Sequence, residues 1–397
     1  MIERTPSVHP AAERIWNLTP KIAQDAIASS VDRLRGAVPP APPLPDPARP
    51  IRLLVGPVNY AGQGYRWSRA VEETGRVSAR NYVHEANNPL GYASDYTVAW
   101  RTAEHSRSWQ RAMLRTLSEN YTHVLIEACF PILGGRHSGD MYRQAAELQD
   151  AGLKLAIVGH GTDVRLPSRH AELHEWSYFH NDEWVAPELV EKVVEKNLKF
   201  VSELDVPTFV STAGLLLDLP KAHFLGVIID PEKWQNSEPL LVRDRLKVVH
   251  APTNPIPKGT TLIAPIAQRL HDEGLIEYVE LRGIPNDQMP AVFADADVIL
   301  DQFRAADYGV AACETMASGR IVLAHVSEQV RTEVEARAGM PLPIPETTAD
   351  TVEAMLRDIA TRRDHYRAIA AQGPEFVRRL HSGDYSRDTL MRNFLDR

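Results

Sequence analysis

The sequence has only two cysteines in 397 residues, and it has no long apolar run. Cys129 and Cys313 both lie among apolar or small residues, so a disulfide framework is excluded and a zinc site is not expected. A membrane span would need a run of roughly 20 apolar residues. The first ten residues, MIERTPSVHP, lack the basic and apolar segments of a signal peptide. We therefore expect a cytoplasmic protein without a transmembrane segment.

The chain also lacks an excess of basic residues. It has 44 Lys and Arg against 52 Asp and Glu, a formal net charge of −8, and the acids are spread along the chain. Nucleic acid is therefore not expected as a partner. The composition, 44% hydrophobic and 24% charged, is ordinary for a globular protein. A length of 397 residues predicts two domains, because a single core rarely grows to this size.

The first 50 residues differ from the rest of the chain. A proline-rich stretch, AVPPAPPLPDPARP, follows Gly36 and predicts an extended spacer. Before it, apolar residues at roughly helical spacing predict an amphipathic helix: Ile15, Leu18, Ile22, Ile27, Val31 and Leu34. We expect this helix to pack on its own subunit, with a homo-oligomer contact or a membrane-surface position as alternatives. Acids and bases are mixed on its polar face, which argues against the membrane.

Strand, loop and helix patterns alternate from Ile51 onward. The run IRLLVGPV predicts a buried strand, and the loop after it, NYAGQG, contains Gly62 and Gly64 before an amphipathic helix. Such a glycine loop is either an anion site or a tight turn between strand and helix. Further strands are predicted at VSARNYV, THVLIEACF and LKLAIVG. This alternation predicts a doubly wound parallel α/β sheet.

The segment GHGTDVRLP follows the last of these strands. In doubly wound sheets ligands bind at the carboxyl ends of the strands, and His160 is placed there. Taken alone, His160 would more often be a structural histidine. Asp163 could be a helix N-cap, and Arg165 its salt-bridge partner.

A second domain is expected after the apolar pattern is interrupted between Pro231 and Val242. Its first strand ends at His250, and Lys258-Gly259-Thr260 begins a helix. A lysine is unfavourable there, because the helix macrodipole favours acids at its N-terminus. A bound diphosphate would remove this conflict, whereas the alternative is a solvated lysine.

Residues 295–326 have the order strand, glycine turn, helix, strand. The helix, VAACETMASG, is made largely of small residues and can lie close to a sheet. Its first amides, near Gly309 and Val310, would then attract an anion. Glu314 lies in the second turn, where it is better placed to accept hydrogen bonds from hydroxyls than to face that anion.

In this order the motifs resemble those of GT-B glycosyltransferases, specifically the retaining family-four type. In that family a Glu, seven residues and a second Glu hold the donor sugar and the ribose of a nucleotide sugar. Glu314 matches the second Glu, while Ala306 stands at the first position with Asp307 beside it. Asp301 is a further candidate for the missing carboxylate. The family's arginine before the lysine is also absent from the loop APTNPIP.

The resemblance covers most of residues 51–397 and implies a function for each motif. Lys258 and the amides of the small-residue helix would stabilise the leaving diphosphate, Glu314 would anchor the ribose, and His160 would bond a sugar hydroxyl or orient the acceptor. Gly283, in a turn after a strand, would lie against the nucleotide base. The residues that it implies for donor or nucleotide binding are Gly62, Gly64, Asp163, Arg165, Gly259, Gly283, Asp307, Gly309 and Val310.

The fold implied is α/β of the GT-B type, with two Rossmann-like doubly wound domains facing across a cleft. The expected division is a helical extension with a proline-rich linker (1–50), an acceptor domain (51–235), a donor domain (236–375) and a C-terminal helix (376–397) that in GT-B proteins crosses back to the first domain.

The implied activity is transfer of a sugar from a nucleoside-diphosphate sugar, with retention, to a glycan, lipid-linked or small-molecule acceptor. No metal and no other cofactor is expected. The alternatives are a nucleotide-sugar-binding pseudoenzyme that activates another transferase, and a GT-B sugar-nucleotide epimerase.

Overall fold

The computed structural model describes residues 19–21, 23–27, 40–85, 91–180 and 186–397. Residues 21 and 23–27 are helical and residues 19–20 are not, and the other residues of the predicted N-terminal helix lie outside the described ranges.

The chain divides into two compact units. The first is Met1–Asp163, Lys196–Phe209 and Leu390–Arg397, and the second is Val164–Glu195 and Val210–Thr389. The predicted boundaries after residues 50, 235 and 375 stay predictions, because compactness within one chain does not show which parts fold independently.

The strands are short and occur in two groups along the chain. They are β1 (Ile51–Gly56), β2 (Val77–His84), β3 (Tyr96–Val98), β4 (His123–Glu127), β5 (Lys154–Gly159), β6 (Thr208–Val210), β7 (His223–Phe224), β8 (Leu246–His250), β9 (Ile276–Glu280), β10 (Val298–Leu300) and β11 (Ile321–Leu323). The strands predicted at Ile51 and in the three runs after it are confirmed as β1, β2, β4 and β5.

The helices that precede β8 are α1 (Gln63–Glu72), α2 (Trp100–His105), α3 (Arg107–Asn120), α4 (Met141–Asp150), α5 (Pro167–Leu173), α6 (Pro187–Leu204) and α7 (Pro231–Trp234). Those that follow it are α8 (Pro255–Lys258), α9 (Thr260–Asp272), α10 (Met289–Ala294), α11 (Val310–Ala317), α12 (Glu328–Ala338), α13 (Val352–Thr361), α14 (Arg363–Ala370), α15 (Gly373–Leu380) and α16 (Asp384–Leu390), with a π-helical turn at Met391–Leu395. None of the helices in the described ranges combines the length and apolar composition that crossing a membrane would need.

The sheet of the first unit has the strand order β3-β2-β1-β4-β5-β6. Its neighbouring pairs from β3 to β5 are parallel. Every residue of the central strand β4 is buried, as expected for a parallel strand covered on both faces. Residues 390–397 belong to this unit, where Phe394 packs edge-on against His123 with 5.0 Å between the ring centroids.

The sheet of the second unit has the order β11-β10-β8-β9, and all its pairs are parallel. Leu300 is paired in register with His250 on one side and Leu323 on the other, so these three strands end together at one edge. The small-residue helix α11 buries six of its eight residues, which explains why it lacks an amphipathic pattern. Gly373 permits the close packing of α15, because a Cβ there would lie 2.4 Å from the Met316 carbonyl.

Several histidines are buried as neutral groups. Burial lowers the pKa of His381 to about 4. Its Nδ1 lies 2.8 Å from the Val227 carbonyl, which can only accept, so Nδ1–H donates and Nε2 accepts from the Tyr308 hydroxyl at 3.0 Å. Burial also lowers the pKa of His84 and of His123 to about 4.

The free energy of unfolding should therefore fall as the pH decreases from about 6.5 towards about 4, because the unfolded chain binds more protons than the folded one in this window. Each such histidine contributes at most about 1.4 kcal/mol per pH unit. Thermal unfolding midpoints of the wild type and His381→Gln, measured across this range, should show a shallower pH dependence for the variant. Equal slopes would contradict a buried neutral His381.

Candidate active site

Two chemically active side chains meet at the carboxyl ends of β4 and β5 in the first unit. Glu127 ends β4 and His160 follows β5, and His160 Nε2 lies 3.2 Å from Glu127 Oε1. Burial lowers the pKa of His160 to about 3 and raises the pKa of Glu127 well above its ordinary value, with Asp163 adding to the latter. Burial thus favours the neutral form of each group, and the two groups lie close together at the strand ends.

The loop after β5 is held by its own aspartate. The Asp163 carboxylate accepts from the backbone N–H of His160 at 3.1 Å and of Gly161 at 2.6 Å. The His160 ring packs edge-on against Tyr60, with centroids 5.2 Å apart, and lies 5.5 Å from the Trp67 ring. Asp163 therefore shapes the turn that positions His160.

The two glycines of the first loop meet different local requirements. Gly62 has φ 75° and directly precedes α1, a conformation that side chains disfavour. Gly64 lies within α1, where a Cβ would stand 2.6 Å from Asn81 Nδ2 and 2.7 Å from Glu127 Oε2. The close approach of α1 to β2 and β4 thus accounts for Gly64 without a ligand.

In the second unit, His250 connects the strand ends to a helix start. Its Nδ1–H donates to the Leu300 carbonyl at 2.9 Å, which leaves Nε2 to accept from the Thr260 hydroxyl at 2.8 Å. Thr260 is the first residue of α9, and its N-cap Gly259 has φ 71°. The predicted helix start is confirmed at Thr260, but the prediction of a lysine at a helix N-terminus is wrong, because Lys258 is the last residue of α8, where the helix dipole favours a cation.

Lys258 forms an ion pair at this edge of the sheet. Its ammonium donates to Oδ1 of Asp301, the residue after β10. The Lys258 side chain is 16% exposed and that of Asp301 is 1% exposed. Lys258 therefore presents its charge beside the start of α9 with a buried carboxylate behind it.

Arg304 lies along the same segment but its guanidinium has other partners. Its backbone N–H donates to the Pro257 carbonyl at 3.3 Å. Its guanidinium donates to the carbonyls of Trp176 and Ser177, each at 3.1 Å. The Arg304 backbone therefore lies beside the residue that precedes Lys258, whereas its guanidinium is bonded to the carbonyls of residues 176 and 177.

The N-terminus of α11 is accessible at Gly309. This residue is the N-cap of the helix, with extended φ and ψ, and a Cβ on it would meet no atom within 4 Å. Val310, the first helical residue, is partly buried. Glu314 is 6% exposed in the second turn. Gly283 lies elsewhere, in an exposed turn after β9 with φ 66°.

Asp307 and Arg165 are bonded within the second unit. The Asp307 carboxylate accepts from the backbone N–H of Gly214 and of Tyr308, both at 2.9 Å, and lies 3.5 Å from Arg165 Nη2. Burial raises the pKa of Asp307, and Arg165 opposes this shift. Arg165 also donates to the Tyr178 hydroxyl at 2.9 Å. These bonds already engage the side chains of Asp307 and Arg165. The contribution of the two residues to donor binding stays a prediction.

A small pocket of the second unit includes Ala306, which stands where the family has its first Glu. Its other lining residues include Arg165, Arg169 and Asp218, and Arg169 donates to Asp218 at 3.0 Å. This pocket receives no carboxylate from position 306. Among the described residues, no three His, Cys, Asp or Glu side chains are grouped so as to hold a metal ion.

The structure thus gathers the predicted residues into separate groups. His160 and Asp163 lie in the loop after β5. Gly64 lies against Glu127, the acid beside His160. Lys258 and Gly259 directly precede α9. Sequence reasoning missed Glu127. The signal was present, because an acid closes an otherwise apolar strand at the end where ligands bind.

Solved structures of similar fold identify the architecture. A sucrose-phosphate synthase from Thermosynechococcus elongatus is 13% identical, with a TM-score of 0.55, covering 85% of this chain and 96% of its own. HepE from Anabaena in complex with UDP is 12% identical, with a TM-score of 0.54, covering 85% and 98%. No family model matches the sequence, and no curated protein matches it. The expected α/β fold of the GT-B type is confirmed by this similarity and by the two parallel sheets.

Gly64→Ala should destabilise the protein by about 1–3 kcal/mol, because the added methyl group enters the contact between α1 and the side chains of Asn81 and Glu127. Gly161→Ala is the matched control, since a Cβ there meets nothing within 4 Å and its φ is ordinary. Chemical denaturation of both variants measures the difference. Equal stabilities would show that α1 can move away from β4 at no cost.

Proposed function

We propose that this protein is a glycosyltransferase that moves a sugar from a nucleoside-diphosphate sugar to an acceptor. We further propose that it does so with retention of anomeric configuration and without a metal ion, as in the retaining family-four enzymes that its motifs resemble. The acceptor is a glycan, a lipid-linked glycan or a small molecule.

The observation that carries the proposal is the position of Lys258. It lies at the carboxyl ends of β8 and β10, directly before the left-handed Gly259 that begins α9. Ligands of open parallel sheets bind at this edge. A helix start and an ammonium group together suit an anion such as a diphosphate. As the sugar–phosphate bond breaks, negative charge gathers on the leaving diphosphate, and fixed positive groups stabilise it.

The start of α11 supports the same assignment. The backbone at Gly309 can be approached closely, because no side chain stands there and no atom lies within 4 Å of where one would project. The amides of this eight-residue helix then add partial positive charge. In this proposal Glu314 accepts hydrogen bonds from the ribose, and Gly283 lies against the base.

His160 receives the role of bonding a donor-sugar hydroxyl or orienting the acceptor. Its lowered pKa, about 3, means that it acts as a neutral imidazole and supplies no fixed positive charge. In this proposal the Glu127 carboxyl, whose Oε1 lies 3.2 Å from Nε2, orients the ring.

A pseudoenzyme that binds a nucleotide sugar is the second candidate. It is favoured by Ala306, which carries no carboxylate, and by the internal bonds of Asp307. A sugar-nucleotide epimerase is a third, favoured by the additional acid Glu127. The three separate on incubation with a nucleotide sugar: the transferase transfers the sugar to an acceptor, the epimerase converts the sugar without one, and the pseudoenzyme does neither.

Lys258→Ala and Glu314→Ala should lose most of the thermal stabilisation that one nucleoside diphosphate gives the wild type. A ligand at about 100 times its dissociation constant stabilises the native state by about 2.7 kcal/mol. The measurement is the unfolding midpoint with ADP, GDP, UDP and TDP in turn. Lys199→Ala, which changes a 69% exposed lysine, is the control and should respond like the wild type. Equal responses of all variants would reject the proposed donor site.

Glu127→Gln should reduce turnover by about 10- to 100-fold while leaving nucleotide binding unchanged, because the displaced imidazole no longer meets the reacting sugar correctly. Turnover is followed as release of nucleoside diphosphate from the nucleotide sugar that binds. Glu147→Gln is the matched control, since Glu147 is a partly exposed acid of the same unit paired with Arg136. Unchanged turnover in Glu127→Gln would separate this carboxyl from the reaction.

A further inference from the structure

Asp301 has a buried carboxylate oxygen that the described residues leave without a hydrogen bond. Its Oδ1 accepts from the Lys258 ammonium, whereas Oδ2 is buried and has no partner in the described part of the chain. A buried charged group with an unsatisfied oxygen is destabilising, and native proteins rarely leave one without a protein, water or ligand partner. The side chain is 1% exposed, so bulk water does not satisfy this oxygen.

The location of Asp301 indicates what could satisfy it. It directly follows β10, whose neighbours in the sheet are β8 and β11. Its backbone N–H donates to the Leu323 carbonyl at 2.9 Å, which fixes the residue at the common edge of the three strands. This is the edge at which the proposed diphosphate meets Lys258, so a donor bound there brings its hydroxyl groups close to Asp301.

Asp307 is the acid beside the position of the family's first Glu. Unlike Asp301, it has no carboxylate oxygen that lacks a hydrogen bond. Both of its oxygens accept backbone N–H groups, from Gly214 and from Tyr308, and Arg165 lies 3.5 Å away. A ligand hydroxyl would have to displace these bonds. At Asp301 the hydroxyl would meet Oδ2, which has no bond to a described residue that must first be displaced.

We infer that Asp301, rather than Asp307, is the second carboxylate of the donor site, and that its Oδ2 accepts a hydrogen bond from a hydroxyl of the nucleotide sugar. Lys258 holds the site closed through its bond to Oδ1. When a diphosphate arrives, the flexible lysine side chain turns to it and opens Asp301 to the hydroxyl. The inference rests on the proposed function and specifies how the donor is recognised. The hydroxyl belongs either to the transferred sugar or to the ribose.

The test is the affinity of Asp301→Asn for UDP, 2′-deoxy-UDP and UDP-glucose, measured by titration calorimetry beside the wild type. The variant should bind UDP-glucose about tenfold more weakly, since a hydrogen bond to a charged group is lost. If binding of UDP is unchanged or tighter, the hydroxyl is on the sugar. If UDP is weakened equally, the hydroxyl is on the ribose: it is the 2′-hydroxyl if 2′-deoxy-UDP is unaffected, and the 3′-hydroxyl if 2′-deoxy-UDP is weakened as well.

Asp297→Asn is the matched control. Asp297 is a fully buried acid that precedes β10, and its oxygens accept backbone N–H groups of Leu241 and Lys247 at 2.7 and 2.9 Å. It should leave all three affinities within about threefold of the wild type, which is below the loss of one such hydrogen bond. If Asp301→Asn does not fold, Asp301→Ala replaces it, since this variant keeps Lys258 for the diphosphate, and the same tenfold loss for UDP-glucose is expected.

Two results would overturn the inference alone: an affinity of Asp301→Asn for UDP-glucose within threefold of the wild type, or a tenfold loss in Asp307→Asn without one in Asp301→Asn. A wild type that binds none of the nucleoside diphosphates or their glucose conjugates would overturn the proposed function and the inference together.

Discussion

The ion pair between Lys258 and Asp301 is the interaction on which the proposed donor site of the second unit depends. Lys258 ends α8, where the helix dipole favours a cation, whereas a buried carboxylate without a cation is costly. The ion pair with Lys258 therefore lowers the free-energy cost of burying the Asp301 carboxylate. The ion pair holds the Lys258 ammonium at the edge of the sheet. A diphosphate, which carries more negative charge than a carboxylate, would compete with Asp301 for this ammonium.

The surrounding backbone serves this placement. His250 bonds the Leu300 carbonyl and the Thr260 hydroxyl, which joins β8, β10 and α9 at one point. Gly259 adopts a left-handed turn that a side chain would disturb, since its Cβ would lie 3.1 Å from that of Phe303. Lys258 thus lies between elements that are joined by hydrogen bonds and close packing.

The candidate site residues of the first unit differ from the ion pair of the second, because burial disfavours their charged forms. Glu127 and His160 are both buried at strand ends, and burial favours the neutral form of each. A buried acid beside a buried imidazole suits hydrogen bonding to an uncharged partner such as a sugar hydroxyl. The arrangement suits recognition of a carbohydrate, while the charged pair of the second unit suits a phosphate.

The sequence predicted the parts of this picture that depend on local pattern. The apolar runs located β1, β2, β4 and β5, and the lysine and glycine before Thr260 located the start of α9. Long-range pairing was beyond it: nothing in the order of residues shows that Glu127 meets His160, or that Asp301 rather than a neighbour of Ala306 meets Lys258. Gly64 was attributed to a ligand, although contact with Asn81 and Glu127 is sufficient to require it.

The most direct test of the account is a crystal structure of the protein grown with the nucleoside diphosphate that stabilises it most. The account predicts the diphosphate within hydrogen-bonding distance of Lys258 and the amides at the start of α11, with Glu314 on the ribose. A diphosphate bound elsewhere, with Lys258 still paired to Asp301, would contradict the proposed donor site and with it the assignment of function.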